Sequence, residues 1–284
     1  MYSSHHHKHH ARRLLCLTAL ACFVAGGTAY ACTRKAAVPQ LPELPAESLV
    51  QAASALPDAP VQQPAENGVQ QSTLTAAQAQ AILDDPRMIL VSRTHPITED
   101  YPVETKECGS ATAINKTLQT EAADAFLSMQ AAAAKDGVDV RMQSGYRSVS
   151  YQKKLYDNKT QYYRDKGLSE AAAREKAAVI VNPPGCSEHN CGLAADLNSP
   201  EHTTLDTGFA DTAAFRWLCE NAEQYGFILR YPKEAESVTG ITYEPWHWRY
   251  VGAENAALLN QSGLCLEDAV AVLQRIAAGE TVTG

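Results

Sequence analysis

What most limits the fold of this chain is an absence. Between Tyr30 and Tyr101 there is no Phe, Tyr or Trp. Aromatic side chains dominate core energetics, so a stretch without them builds little core, and the folded part must lie downstream. Residues 33–76 also hold six of the 14 prolines, in runs such as L-P-D-A-P-V-Q-Q-P-A-E-N-G. Proline fixes φ and removes a donor. With few large apolar residues between the prolines, nothing offsets the entropy of ordering. Residues 32–76 therefore read as a semi-extended tether, and residues 77–284 as one domain of ordinary size.

The first residues read as an address. Lys8, Arg12 and Arg13 precede an apolar run from Leu14 to Ala25, and T-A-Y-A-C closes on Cys32. A basic start, about a dozen apolar residues and a small-residue exit describe a secretory signal over residues 1–31. The run is short for a transmembrane span, which needs about twenty residues. Ala29-Tyr30-Ala31 fits an ordinary cleavage, while Ala31 before Cys32 resembles a lipoprotein signal that would leave Cys32 lipid-bearing; an uncleaved anchor is the third reading. The expected location is the outer face of the cytoplasmic membrane or the cell wall, with membrane contact only through this segment or a lipid on Cys32. The histidines at 5, 6, 7, 9 and 10 belong to this leader and are set aside. The whole chain has a net charge of −8, and removing the three leader bases gives 21 − 32 = −11. Nucleic-acid binders show a basic face, so no nucleic-acid partner is expected. A monomer is.

Downstream, Leu118, Ala122, Phe126, Met129 and Ala133 recur at helical spacing before Gly137. Val138, Val140 and Met142 alternate as in a strand leading into S-G-Y-R-S. Residues 150–163 and 169–181 read as helices. Another follows Asp211, with Phe215, Leu218, Cys219, Ala222 and Tyr225 as its buried face. F-I-L-R-Y from Phe227 is a short strand, and Leu266 to Ala277 is a final amphipathic helix. Helices segregated from a few strands indicate an α+β fold, with a small, mainly antiparallel sheet flanked by helices.

Beyond the leader only four histidines remain: His95, His189, His202 and His247. His189 lies in S-E-H-N-C-G-L-A-A-D, Ser187 to Asp196, and His247 in Y-E-P-W-H-W-R-Y-V-G, Tyr243 to Gly252. A hydrolytic metal site needs about three N or O ligands, an open position and a nearby carboxylate. His189, Asp196 and His247 can supply the ligands, and Glu244 the carboxylate. On spacing alone, a histidine in such a loop is as well explained by a structural hydrogen bond. His95 and His202 read as surface or loop residues, Arg249 and Tyr250 as a buried arginine–aromatic stack.

S-x-H-x-x-G-x-A-x-D followed by E-x-W-H-x-R-Y-V-G resembles the VanY-type D-alanyl-D-alanine carboxypeptidases, zinc peptidases acting on peptidoglycan. S-G-Y-R-S at Ser144 to Ser148, with Gln152 beyond it, is similar to a third motif of that family, and the likeness runs from about Arg87 to Leu266. The resemblance implies one zinc ion on His189, Asp196 and His247, Glu244 as general base, and Arg147 at the substrate. Ser144, Gln152 and Ser187 are expected to hold the peptide end, and Trp246 to wall the site or pack in the core. The implied substrate is a stem peptide ending in D-Ala. The alternatives are L,D-carboxypeptidase or endopeptidase cleavage of the same polymer, or a non-catalytic wall-binding module. Cys186 and Cys191 bracket His189 and suggest a disulfide stapling the loop; zinc ligation by their thiolates is the other reading.

Overall fold

The computed structural model describes residues 74–280; the leader, Cys32 and the tether up to residue 73 lie outside them. Helix α1 (Ala76–Leu83) opens on a capping box, in which Thr75 accepts from the Gln78 amide and the Gln78 side chain accepts from Thr75. Leu74, placed by composition at the end of the tether, is buried and belongs to the domain. Strands β1 (Thr105–Glu107) and β2 (Thr117–Gln119) form a small antiparallel pair. Helix α2 (Thr120–Lys135) follows, then β3 (Arg141–Ser144), α3 (Val149–Asp165), α4 (Glu170–Ala178) and β4 (Ala194–Asn198). The chain continues through α5 (Ala213–Asn221), β5 (Phe227–Leu229), the single turn α6 (Glu236–Thr239), β6 (His247–Tyr250), α7 (Ala253–Ser262) and α8 (Leu266–Ala277). Among the described residues no single helix is long and apolar enough to cross a membrane.

Four strands make the main sheet, in the order β3-β4-β6-β5 and antiparallel throughout. Side chains alternate across a strand, and here the alternation divides the molecule. Leu197 of β4, Phe227 of β5, and Trp248 and Tyr250 of β6 join Phe126, Met129 and Leu218 in one core, covered by α2 and α5. Each such side chain contributes roughly 1.5–3 kcal/mol on burial. Ile228 turns to the other face and joins a second cluster with Leu259, Leu266 and Leu273, which α1, α7 and α8 supply. The same alternation sends Asp196, His247 and Arg249 away from the first core.

The expected helices are present, with two local differences. Leu118 sits in β2 rather than in the helix, because Gln119 caps α2 through its side chain and the backbone before it is extended. Cys219 is exposed on α5, and Trp217 occupies the buried position instead. The indole N–H of Trp217 donates to Asp136 at 2.8 Å, a polar anchor that periodicity does not reveal. Residues 266–277 form the final helix as expected.

Candidate metal centre and catalytic cleft

Asp196 and His247 face each other directly across β4 and β6. His189 comes from a 3-10 turn, Glu188–Cys191, that ends at Gly192 with φ +74°. A Cβ there would lie 2.9 Å from Val103 Cγ1, so both conformation and space call for glycine. Gly145 is held more tightly: a Cβ would meet Thr117 O at 2.3 Å. That close approach aims the Gly145 carbonyl at His189 Nδ1, 2.8 Å away.

The hydrogen bond to Gly145 fixes the tautomer. His189 Nδ1 carries the proton, which leaves Nε2 as a lone pair pointing inward. His247 is set the opposite way round, with Nε2 3.4 Å from Glu188 Oε2 and Nδ1 turned inward. Asp196 Oδ1 lies 3.2 Å from both His189 Nε2 and His247 Nδ1. Despite those distances it makes no aligned hydrogen bond, although it is fully buried. Three donor atoms converging without bonding one another are what a tetrahedral cation requires, since ligands at about 2.0–2.2 Å are separated by roughly 3.3 Å. The residues therefore fit a metal ion.

Glu244 Oε2 lies 3.7 Å from His247 Nδ1, beside the converging donors. Burial, with Asp196 adding to it and His247 and Arg147 opposing, pushes the Glu244 carboxyl up to about 7. Burial likewise raises Asp196, but His189, His247 and Arg147 outweigh it and hold this carboxyl well below its ordinary range. Burial and the Arg147 charge together lower His189, so its imidazole is neutral and free to donate a lone pair. The cluster opens into a cleft of about 810 Å³.

Arg147 lines the cleft, but its fork is partly committed. Nη2 donates to Asp196 Oδ2 at 3.0 Å and Nη1 to Gln152 Oε1 at 3.3 Å, while the buried Nε has no acceptor. Gln152, expected to touch substrate, spends its amide instead on Arg147 and on Asn182 O. Ser144 pairs with Asp196 across the sheet but accepts from Asn115 and does not line the cleft. Ser187 and Trp246 do line it, and Trp246 also packs on the first core. His95 is exposed in a turn, and His202 pairs with Asp206 on a loop.

The cysteine expectation is corrected. Cys186 and Cys191 are both free, and neither thiol joins the cluster. Cys191 packs in the first core and donates to Glu188 O, whereas Cys186 lines a separate cavity. The two side chains leave the loop on different sides, so no staple forms.

Sequence reasoning missed a buried charge chain behind His247. Glu188 has no exposed side-chain surface and binds Arg230 Nε at 2.7 Å and Arg249 Nη1 at 2.6 Å. Burial raises its pKa, but the two arginines and His247 outweigh that and keep it strongly depressed. Arg230 also forks onto Glu267 of α8. Arg249 Nη2 donates to the carbonyls of Arg87 and Ile89. Its partner is thus a carboxylate rather than an aromatic ring; the stacked arginine is Arg230, 4.7 Å from the Tyr231 ring centre. The available signal was Arg249 standing between Trp248 and Tyr250, because alternation sends a residue between two core aromatics to the opposite, site face.

Comparison with known proteins matches this geometry to a family. The VanY profile, described as D-alanyl-D-alanine carboxypeptidase, covers residues 115–253. A D-alanyl-D-alanine carboxypeptidase of Enterococcus faecalis is 38% identical over 200 residues, 70% of this chain and 71% of the relative. The chain belongs to the VanY family. It is a peptidase of the D-alanyl-D-alanine carboxypeptidase class. Among solved structures, a mutant of the D,D-pentapeptidase VanY from a VanB-type vancomycin resistance cassette, in complex with Zn(II), is similar at 36% identity. Its TM-score is 0.55, and the match covers 65% of this VanY-family chain and 98% of that one. The LD-carboxypeptidase LdcB is similar at 34% identity and a TM-score of 0.56, over 68% and 86% of the two chains.

Proposed function

We infer that this protein releases the terminal D-alanine from peptidoglycan stem peptides ending in D-alanyl-D-alanine, with one zinc ion held by His189 Nε2, Asp196 Oδ1 and His247 Nδ1. The observation that carries this is the convergence of those three unbonded donors beside a buried glutamate. Zinc, when bound, supplies a Lewis acid for the scissile carbonyl and lowers the pKa of water at the site. Glu244 takes the proton of the attacking water and returns it to the departing amine, a role suited to a carboxyl titrating near neutrality. Arg147 holds Asp196 in place through Nη2 and lines the cleft with a permanent positive charge suited to a substrate carboxylate or oxyanion. Ser187 and Trp246 border the peptide end. Glu188 keeps the His247 ring oriented from behind.

A second reading has an observation of its own. The LD-carboxypeptidase LdcB is as similar in fold as the D,D-enzyme, so this scaffold accommodates either bond. Incubation with a defined pentapeptide, tetrapeptide and cross-linked fragment separates the readings. The expected result is D-alanine release from the pentapeptide, abolished by a chelator and restored by zinc. Preferential cleavage of the tetrapeptide would replace the reaction. Tight binding of all three by the zinc-loaded protein, without turnover, would support a wall-binding module.

We also propose export through residues 1–31. The basic start, apolar run and small-residue exit support it. Mass analysis of the exported protein is expected to find Cys32 as the first residue, and an added acyl mass identifies the lipid-bearing form. Intact Met1 on the exported chain would leave only the uncleaved anchor.

A further inference from the structure

Beyond the metal, the cleft runs along one face of α3. Gln152, Leu155, Lys159 and Tyr162 all line it, at the three- and four-residue spacing that puts side chains on one helix face. Gln152 marks the metal end, through Arg147 and Asp196. From Gln152 to Tyr162 a helix rises about 15 Å, enough for roughly four extended residues. A carboxypeptidase expels a single residue on the leaving side, so a wall this long serves the acyl side.

The cleft also carries exposed apolar surface. Val179 and Ile180 line it and are 70% and 60% exposed, and Tyr162 on α3 is 48% exposed. Exposed apolar side chains gathered in one cleft mark a surface that meets a ligand. Lys159 lines the same cleft, with its Nζ 5.4 Å from the Tyr162 ring centre. The lysines that form ion pairs are Lys106 and Lys153; Lys159 has no carboxylate partner among the described residues. Arg147, the other permanent cation of the cleft, is bound to Asp196. Lys159 is therefore the cleft cation left uncompensated, in a chain with a net charge of −8.

We propose that Lys159 binds a free carboxylate on the acyl side of the substrate, one or two residues before the residue whose carbonyl is attacked, and so selects stem peptides that are acidic there. The register follows from the helix: Lys159 lies about 10 Å along α3 from Gln152, or about three extended residues. This rests on the carboxypeptidase reading above.

Matched peptides ending in D-alanyl-D-alanine test it. In one arm the residue immediately before the attacked residue carries a free carboxylate or the corresponding carboxamide; in the other arm the residue before that one does. For the wild-type enzyme, kcat/KM is expected to favour the carboxylate in one arm by roughly three- to tenfold at low salt, mainly through KM, with the preference shrinking as salt rises. Lys159→Met keeps the apolar stem and removes the charge. It is expected to bring the ratio to about one while leaving the carboxamide peptide's kcat/KM within about twofold of wild type. Lys159→Gln repeats the comparison with a polar end, and inhibition by the matching acyl-side product peptides reads binding without turnover. A wild-type ratio of one in both arms, or a preference that survives in both lysine variants, would overturn the proposal. If the zinc-loaded wild type releases alanine from none of the peptides, the carboxypeptidase reading fails, and this subsite fails with it.

Discussion

Glu244→Gln is expected to lower kcat on the order of 10³–10⁴-fold while the protein still binds one zinc ion per chain. The substitution preserves shape and removes only the ability to take and return a proton. Glu244 is not one of the three converging donors, so metal content measured on the purified variant should match wild type. The elevated pKa gives the effect its pH signature. Burial raises the Glu244 carboxyl to about 7, and a cation among His189, Asp196 and His247 favours the ionised form and draws that value down. The acid limb of the wild-type kcat/KM profile is thus expected at or below pH 7, and the residual activity of the variant should lack it. Turnover within about tenfold of wild type would remove Glu244 from the mechanism.

The second large effect concerns stability. Arg249 and Glu188 are both without exposed side-chain surface. Removing one partner of such a pair leaves a buried charge uncompensated, which costs about 3–5 kcal/mol. Arg249→Met is expected to destabilise the metal-free protein by that amount in urea unfolding. It should also weaken zinc binding by about 10–100-fold, because Glu188 no longer holds His247 firmly. The pH dependence has a definite sign. The folded-state pKa of Glu188 is depressed, so its contribution is complete above its unfolded value, about 4.3, and fades as the pH falls toward the folded value. Without Arg249 the folded pKa rises toward the unfolded value, so the acid loss contributed by Glu188 should be smaller than in wild type and complete at a higher pH. A variant with wild-type unfolding and zinc affinity would show that the charge chain is not what braces His247.

Much of this molecule was legible from residue patterns. Apolar periodicity located α8 to the residue, because its buried Leu266, Ala269, Leu273 and Ile276 repeat at helical spacing along one face. The motif residues His189, Asp196, His247 and Glu244 do meet, and the two glycines at 145 and 192 occupy positions where a Cβ does not fit. The polar neighbours were not legible in the same way. Gln152 belongs to the recognised motif, yet whether its amide meets substrate or Arg147 depends on a contact between α3 and the loop before it. The cysteine pair shows the same limit: two thiols five positions apart suggest a bridge, and only the direction of each side chain denies it.

The order of residues along the chain therefore determined which helices and strands form, which face of each is apolar, and which donors are available to a metal. These follow from local propensity and alternation, properties of short segments. Tertiary structure alone decided that Glu188 lies wholly buried between Arg230 and Arg249, and that Glu267 and the carbonyls of Arg87 and Ile89 complete the arrangement. A charged residue is stable inside a protein only when partners distant in sequence surround it, and those partners are found by folding.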